Sequence, residues 1–229
     1  MSADAGTSGL LLVDKPAGMT SHDVVDVARR AYGERSIGHL GTLDPFATGL
    51  LVLLFGRATR LATFIENEPK TYDATIAFGA ETDSDDVTGA VTSEAPLPMR
   101  EQVLAGIERL SGEIEQIPPA YSAKKVGGRI AYDAARDGDP LELAPARVVV
   151  HEWLVRSLAP DTLDATITCG GGTYIRALAR DLGRISGSAA HLTALRRTRS
   201  GEFDVADATP LDRLRSAPPP LKRLRIAVE

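Results

Sequence analysis

The sequence holds a single cysteine, Cys169, among 229 residues. A lone cysteine excludes an internal disulfide framework and a clustered cysteine metal site. Histidine is scarce as well, and His22, His39, His151 and His191 fit no zinc spacing. Asp83-Ser-Asp85-Asp86-Val-Thr-Gly89 briefly resembles a calcium loop, but Val87 fills a ligand position and the glycine comes one residue late. No metal is expected. Long apolar runs are missing too: the longest uncharged one, Pro45 to Gly56, is too short to span a bilayer. The opening MSADAGTSG has an acid and no Lys or Arg, unlike the charged start of a secretory signal. The expectation is a cytoplasmic, soluble protein with no membrane contact. With 43% hydrophobic and 25% charged residues, the composition is that of a globular chain.

Net positive charge is also lacking, and the formal value is −5. That average argues against a nucleic-acid partner, but it hides a partition. Residues 73–118 hold ten acids and two bases, a net −8, so the rest of the chain is +3. The bases there are bunched: Lys124, Lys125 and Arg129; Arg176, Arg180 and Arg184; Arg196, Arg197 and Arg199; Lys222, Arg223 and Arg225. One acidic lobe beside several basic clusters suits a protein that binds a polyanion on one face. Any single cluster taken alone reads equally well as a solvated surface.

Hydrophobic patterning supplies the elements. Gly9 to Asp14 reads as a strand running into the turn Asp-Lys-Pro-Ala-Gly. Thr20 or Ser21 caps a helix carrying Val24, Val25, Val27, Ala28 and Ala31. Leu50 to Phe55 is unbroken apolar sequence, as in a strand buried on both faces, and Tyr72 to Phe78 alternates. Met99 to Leu110 and Thr173 to Gly183 read as helices, and Val148 to Val155 and Leu163 to Cys169 as strands. The mixture lacks regular βαβ alternation, which favours an α+β fold around a mostly antiparallel mixed sheet flanked by helices and loops. The expected organisation is a flexible start over 1–8, one large domain over 9–205 and a short basic tail over 206–229.

Three stretches carry candidate chemistry. Residues 38–49, GHLGTLDPFATG, lie directly before the apolar strand. Pro45 restricts Asp44 and the glycines permit tight turns, so Asp44 is displayed as a nucleophilic or acid–base carboxylate would be, or sits in a plain Asp-Pro turn. In CGGGTYIRALARDLG, residues 169–183, a glycine run feeds a helix start, which can receive a phosphate through free N–H groups. Arg176 falls in that helix's first turn, where the dipole disfavours a cation, so a buried carboxylate is the natural partner to look for. Residues 117–132 combine prolines, Tyr121, three bases and two glycines, the makings of an ordered loop that touches phosphates.

These blocks together resemble the bacterial tRNA pseudouridine synthase B family. The resemblance is carried by DKPAGMTS (14–21), GHLGTLDPFATG (38–49), KTY (70–72), FG with TDSD (78–85), PPAYSAK (118–124), GTYIR (172–176) and LRR (195–197), in the family's order. It implies a pseudouridine synthase fold and isomerisation of the T-loop uridine at tRNA position 55, with no cofactor. Asp44 matches the catalytic aspartate that attacks the nucleoside, at the ribose C1′ or the base C6, before the uracil turns and C5 joins C1′. Arg176 matches the arginine that pairs with that carboxylate, and Tyr72 the tyrosine that stacks on the base and assists removal of the C5 proton. His39 matches the histidine that helps extrude the nucleotide. Tyr174 and Leu195 match residues lining the uridine pocket, and Lys15 lies in a block close to the site. Lys124, Lys125, Arg129, Arg180, Arg196 and Arg197 are the candidates for RNA backbone contacts.

The resemblance has two departures. Gly-Gly-Gly-Thr-Tyr stands where a bulkier polar residue or lysine is expected before the last glycine, and the chain stops at Glu229 without the usual small RNA-binding domain. The implied partner is the T-arm stem-loop of tRNA, bound by a monomer. The alternative is a tRNA-binding or tRNA-folding protein in which catalysis is secondary; it would need neither Asp44 nor Arg176. A glycosidase with paired carboxylates lacks a second acid near Asp44 in sequence.

Overall fold

The computed structural model describes residues 8–222. In chain order the elements are β1 (Gly9–Lys15), α1 (Ser21–Tyr32), β2 (Ile37–Leu40), β3 (Thr48–Phe55), β4 (Lys70–Phe78), β5 (Ala80–Thr82), β6 (Val91–Glu94), α2 (Arg100–Arg109) and β7 (Gly112–Gln116). There follow β8 (Lys125–Val126), β9 (Arg129–Ile130), α3 (Ala131–Arg136), β10 (Ala146–Leu158), β11 (Thr162–Cys169), α4 (Ile175–Ile185), β12 (Ala190–Ser200), β13 (Phe203–Asp204), β14 (Thr209–Pro210) and α5 (Leu211–Ser216). A 3-10 helix spans Gly56–Phe64. The chain divides into two compact units, Met1–Lys70 with Arg196–Glu229, and Thr71–Leu195. No helix among the described residues is long and apolar enough to cross a membrane.

The first unit is built on β3. It pairs antiparallel with β1 from Gly9↔Phe55 to Lys15↔Gly49, antiparallel with β2, and parallel with the end of β12 at Thr48↔Arg196. Alternate residues of the apolar run therefore face opposite sides. Leu51, Leu53 and Phe55 join Leu11, Val13 and the apolar face of α1, with Leu211 and Leu214 of α5. Leu50, Val52 and Leu54 join Leu10, Leu12, Leu40, Ala58 and Phe203 on the other side. Burial on both faces explains why the run shows no alternation. Thr20 caps α1 in a capping box with Asp23, while the hydroxyl of Ser21 is engaged elsewhere. Residues 206–222 are folded into this unit: β14 pairs parallel with β1, and Lys222 exchanges both backbone hydrogen bonds with Leu10.

In the second unit β4, β11, β10 and β7 lie in that order, and the first half of β12 lies beside β4. Thr166 Oγ1 donates to Asp73 Oδ1 and Thr75 Oγ1 to Asp164 Oδ1, cross-strand bonds between β4 and β11. Helix α4 packs against α2 at Gly106, where a Cβ would come within 2.8 Å of Leu182. Pairings within both units are mostly antiparallel, with parallel pairs at β1–β14 and β3–β12, which is the α+β architecture read from the patterning. Strand β12 was not among the expected elements. Its sequence AHLTALRRTRS reads as a basic cluster, yet its burial alternates along much of its length.

Candidate active site

In the first unit the segment carrying Asp44 is held at four points. Gly18 N–H donates to Pro45 O at 2.8 Å. Ser21 Oγ donates to Leu43 O at 3.2 Å and accepts from Leu43 N–H at 2.9 Å. Arg197 Nη2 donates to Gly41 O and its Nε to Leu50 O, bracketing the segment's two ends. Lys15, fully buried, donates from Nζ to Pro16 O (2.9 Å), Met19 O (2.6 Å) and Pro45 O (3.3 Å). Gly49 closes the segment at φ +101°, with a Cβ position 2.3 Å from Arg197 O, so only glycine fits. A half-buried Asp44 is thus presented by backbone that cannot easily move, the preorganisation a nucleophile needs.

Electrostatics around Asp44 follow from burial. Desolvation lowers Lys15 to about 8, with Arg197 acting in the same direction and the charges of Asp44 and Asp23 opposing. His39, on β2, is held below its ordinary value by burial, then by Arg197 and His22, so its imidazole is neutral at pH 7. Its Nδ1 is buried without a hydrogen-bond partner among the described residues. Arg196 makes a bidentate pair with Asp14 at 2.8 and 2.9 Å and is part exposed.

In the second unit the glycine run leads to Tyr174, whose N–H donates to Gln116 Oε1 while Gln116 Nε2 donates back to Tyr174 O. That helix-start N–H is therefore committed to the protein rather than to a phosphate. Arg176 is buried and donates from Nη1 to Ser84 O (2.8 Å) and from Nη2 to Tyr121 O (2.9 Å). A buried carboxylate does lie beside it, that of Asp86, with Oδ2 at 3.7 Å from Nε. Asp86 Oδ1 accepts from Ser84 Oγ, Thr88 Oγ1 and Thr88 N–H, so its second oxygen is turned toward the arginine. Tyr72 on β4 and Leu195 on β12 are both buried.

The basic candidates divide sharply. Lys124, Lys125 and Arg129 are exposed on the β8–β9 hairpin, where phosphates can reach them. Arg180 and Arg197 are buried and spend their guanidinium donors on protein oxygens, which corrects the expectation that they contact RNA backbone. Lys15 is likewise committed to three carbonyls, so the structure makes it a brace for the Asp44 segment rather than a substrate contact. Asp86, Gln116 and Ser21 were missed. The signal for Asp86 was present in TDSDD, an acid flanked by Ser84 and Thr88 that can saturate one of its oxygens. Among the described residues, no group of His, Cys, Asp or Glu side chains is arranged to hold a metal.

Comparison with known proteins matches residues 29–175 to the TruB family pseudouridylate synthase N-terminal domain. This is more than half of the chain and includes the Asp44 segment. The chain belongs to the TruB family. Residues 176–219 match the tRNA pseudouridylate synthase B C-terminal domain. The chain is 47% identical over 215 residues to the tRNA pseudouridine synthase B of Arthrobacter sp. (strain FB24), covering 90% of this chain and 70% of that one. It is 46% identical over 224 residues to that of Mycobacterium sp. (strain KMS), covering 95% and 75%. Among solved structures it is similar to a Cbf5-Nop10-Gar1 complex, with a TM-score of 0.71 and 26% identity over 92% of this chain, and spans 54% of that chain.

Proposed function

We propose that this TruB-family chain is a tRNA pseudouridine synthase, an isomerase that converts the T-loop uridine at tRNA position 55 to pseudouridine. The observation that carries this reading is the Asp44 segment. A carboxylate in the family's GHLGTLDPFATG block is displayed on backbone braced by Lys15, Gly18, Ser21 and Arg197. Such bracing is what a nucleophile requires and what a plain surface turn does not.

In this reading Asp44 attacks the flipped nucleoside and the N1–C1′ bond breaks. The uracil turns, C5 bonds to C1′ and the bond to Asp44 is released, while the C5 proton passes to solvent and N1 takes one up. Atoms balance without any redox or energy carrier. Tyr72 stacks on the pyrimidine and assists loss of the proton, and neutral His39 helps extrude the nucleotide from its stack. Arg176, aimed by Ser84, Tyr121 and Asp86, is the fixed cation of the reaction. Tyr174 and Leu195 bound the uridine. Lys124, Lys125, Arg129 and the part-exposed Arg196 meet the T-arm phosphates, and the protein works as a cytoplasmic monomer. Tritium release from C5-labelled uridine in a T-arm stem-loop tests the proposal. Release by the native protein and none by Asp44→Asn supports it. Stem-loop binding without release by either protein would instead favour a tRNA-binding role.

A further inference from the structure

We propose that Arg180 is a positioning residue for the synthase reaction: together with Asp85 it forms the second rung of a clamp that fixes Arg176. The inference rests on the function proposed above. Arg176 and Arg180 stand four residues apart on α4, so both project from one face. Each buried guanidinium forks between the same two segments. Arg176 reaches Ser84 O and Tyr121 O, and Arg180 reaches Asp85 Oδ2 (2.8 Å) and Ile117 O (2.8 Å). The turn around residues 82–89 and the segment 117–121 are therefore each tied to α4 twice, one helical turn apart.

The turn itself needs an external tie. Asp85 has φ +60°, and among the described residues it alone adopts positive φ without being glycine. Its carbonyl accepts from Leu192 N–H, and its carboxylate is buried against Arg180. The remaining Arg180 nitrogen, Nε, donates to Asp181 Oδ1 at 2.9 Å, so all three nitrogens are engaged and the residue is 8% exposed. Without this rung, the turn keeps its local bonds and its bridge to Leu192 but loses the tie to α4 that holds Ser84 and Asp86 in place independently of Arg176. The loss is felt in turnover rather than in RNA affinity, because small misplacement of a reacting group costs rate steeply.

The test compares the native protein with Arg180→Met, Arg180→Lys and Asp85→Asn in the tritium-release assay, with stem-loop binding measured across a salt series. The expectation for Arg180→Met is a kcat lower by roughly 10–100-fold, with KM and stem-loop Kd within about twofold and an unchanged salt slope. Arg180→Lys, which keeps a cation for Asp85, recovers part of the rate, and Asp85→Asn loses rate in the same direction. Should Arg180→Met not fold, the other two variants decide. A weaker Kd with a salt slope reduced by about one would make Arg180 a phosphate contact and overturn the proposal. Unchanged kcat in folded variants would also overturn it, whereas a native protein that releases no label overturns the synthase reading itself and this inference with it.

Discussion

Replacing Lys15 by Met removes an ammonium from a fully buried position while roughly keeping its volume. Two effects oppose. The fall of the lysine from 10.5 to about 8 means that holding the charge inside costs about 3 kcal/mol at neutral pH, a cost the variant escapes. Against this, Pro16 O and Met19 O lose their ammonium donor at about 1–3 kcal/mol each, while Pro45 O keeps the Gly18 N–H. The balance is a loss of about 1–2 kcal/mol at pH 7.5, or a Tm lower by roughly 3–6 °C for a chain of this size. pH supplies the sharper test. Between about 8 and 10.5 the unfolded chain still holds the Lys15 proton that the folded chain has released. Folding of the native protein therefore gains stability as pH rises through that window, and loses it again as pH falls toward 8. The variant has no such dependence. The gap between the two proteins, followed by circular dichroism, should widen by about 2 kcal/mol from pH 7.5 to 9.5. A gap that stays constant or narrows would refute the assignment of Lys15 as a buried cation braced by carbonyls.

Gly49→Ala should be poorly tolerated, because a Cβ would meet Arg197 O at 2.3 Å on backbone at φ +101°; a loss of more than about 3 kcal/mol in a urea titration is expected. Ser21→Ala removes both hydrogen bonds to Leu43, and calorimetry should show a loss of about 1–2 kcal/mol with reduced turnover as the Asp44 segment loosens. Leu53→Ala, in the core beneath α1, should cost about 2–5 kcal/mol in the same titration while leaving the kcat of the folded fraction unchanged. Changing Lys124, Lys125 and Arg129 together to Ala should weaken stem-loop binding, and the salt slope should fall by about one for each phosphate that these side chains neutralise in the native complex.

Local chemistry was legible wherever neighbours in sequence decide the outcome. The apolar run of β3, the alternation of β4 and the Thr20 cap of α1 are dictated by side-chain period and by backbone donors within a few residues. The Asp44 segment was legible as well, since Asp-Pro and the glycines around it constrain their own backbone. What sequence alone left undecided is which polar groups face water. Arg196 and Arg197 are adjacent and chemically alike, yet β12 sends one to a part-exposed pair with Asp14 and the other into the interior against Gly41 O and Leu50 O. Lys15 read as a residue close to the site, Arg180 as an RNA-backbone contact, and Asp86 as one acid in an acidic turn. Their burial depends on carbonyls and carboxylates many residues away, from Lys15 and Pro45 to Arg180 and Asp85, and only the tertiary fold brings those together. Period and propensity act over a few residues, whereas the cost of burying a charge is offset by whichever oxygens the completed fold places around it.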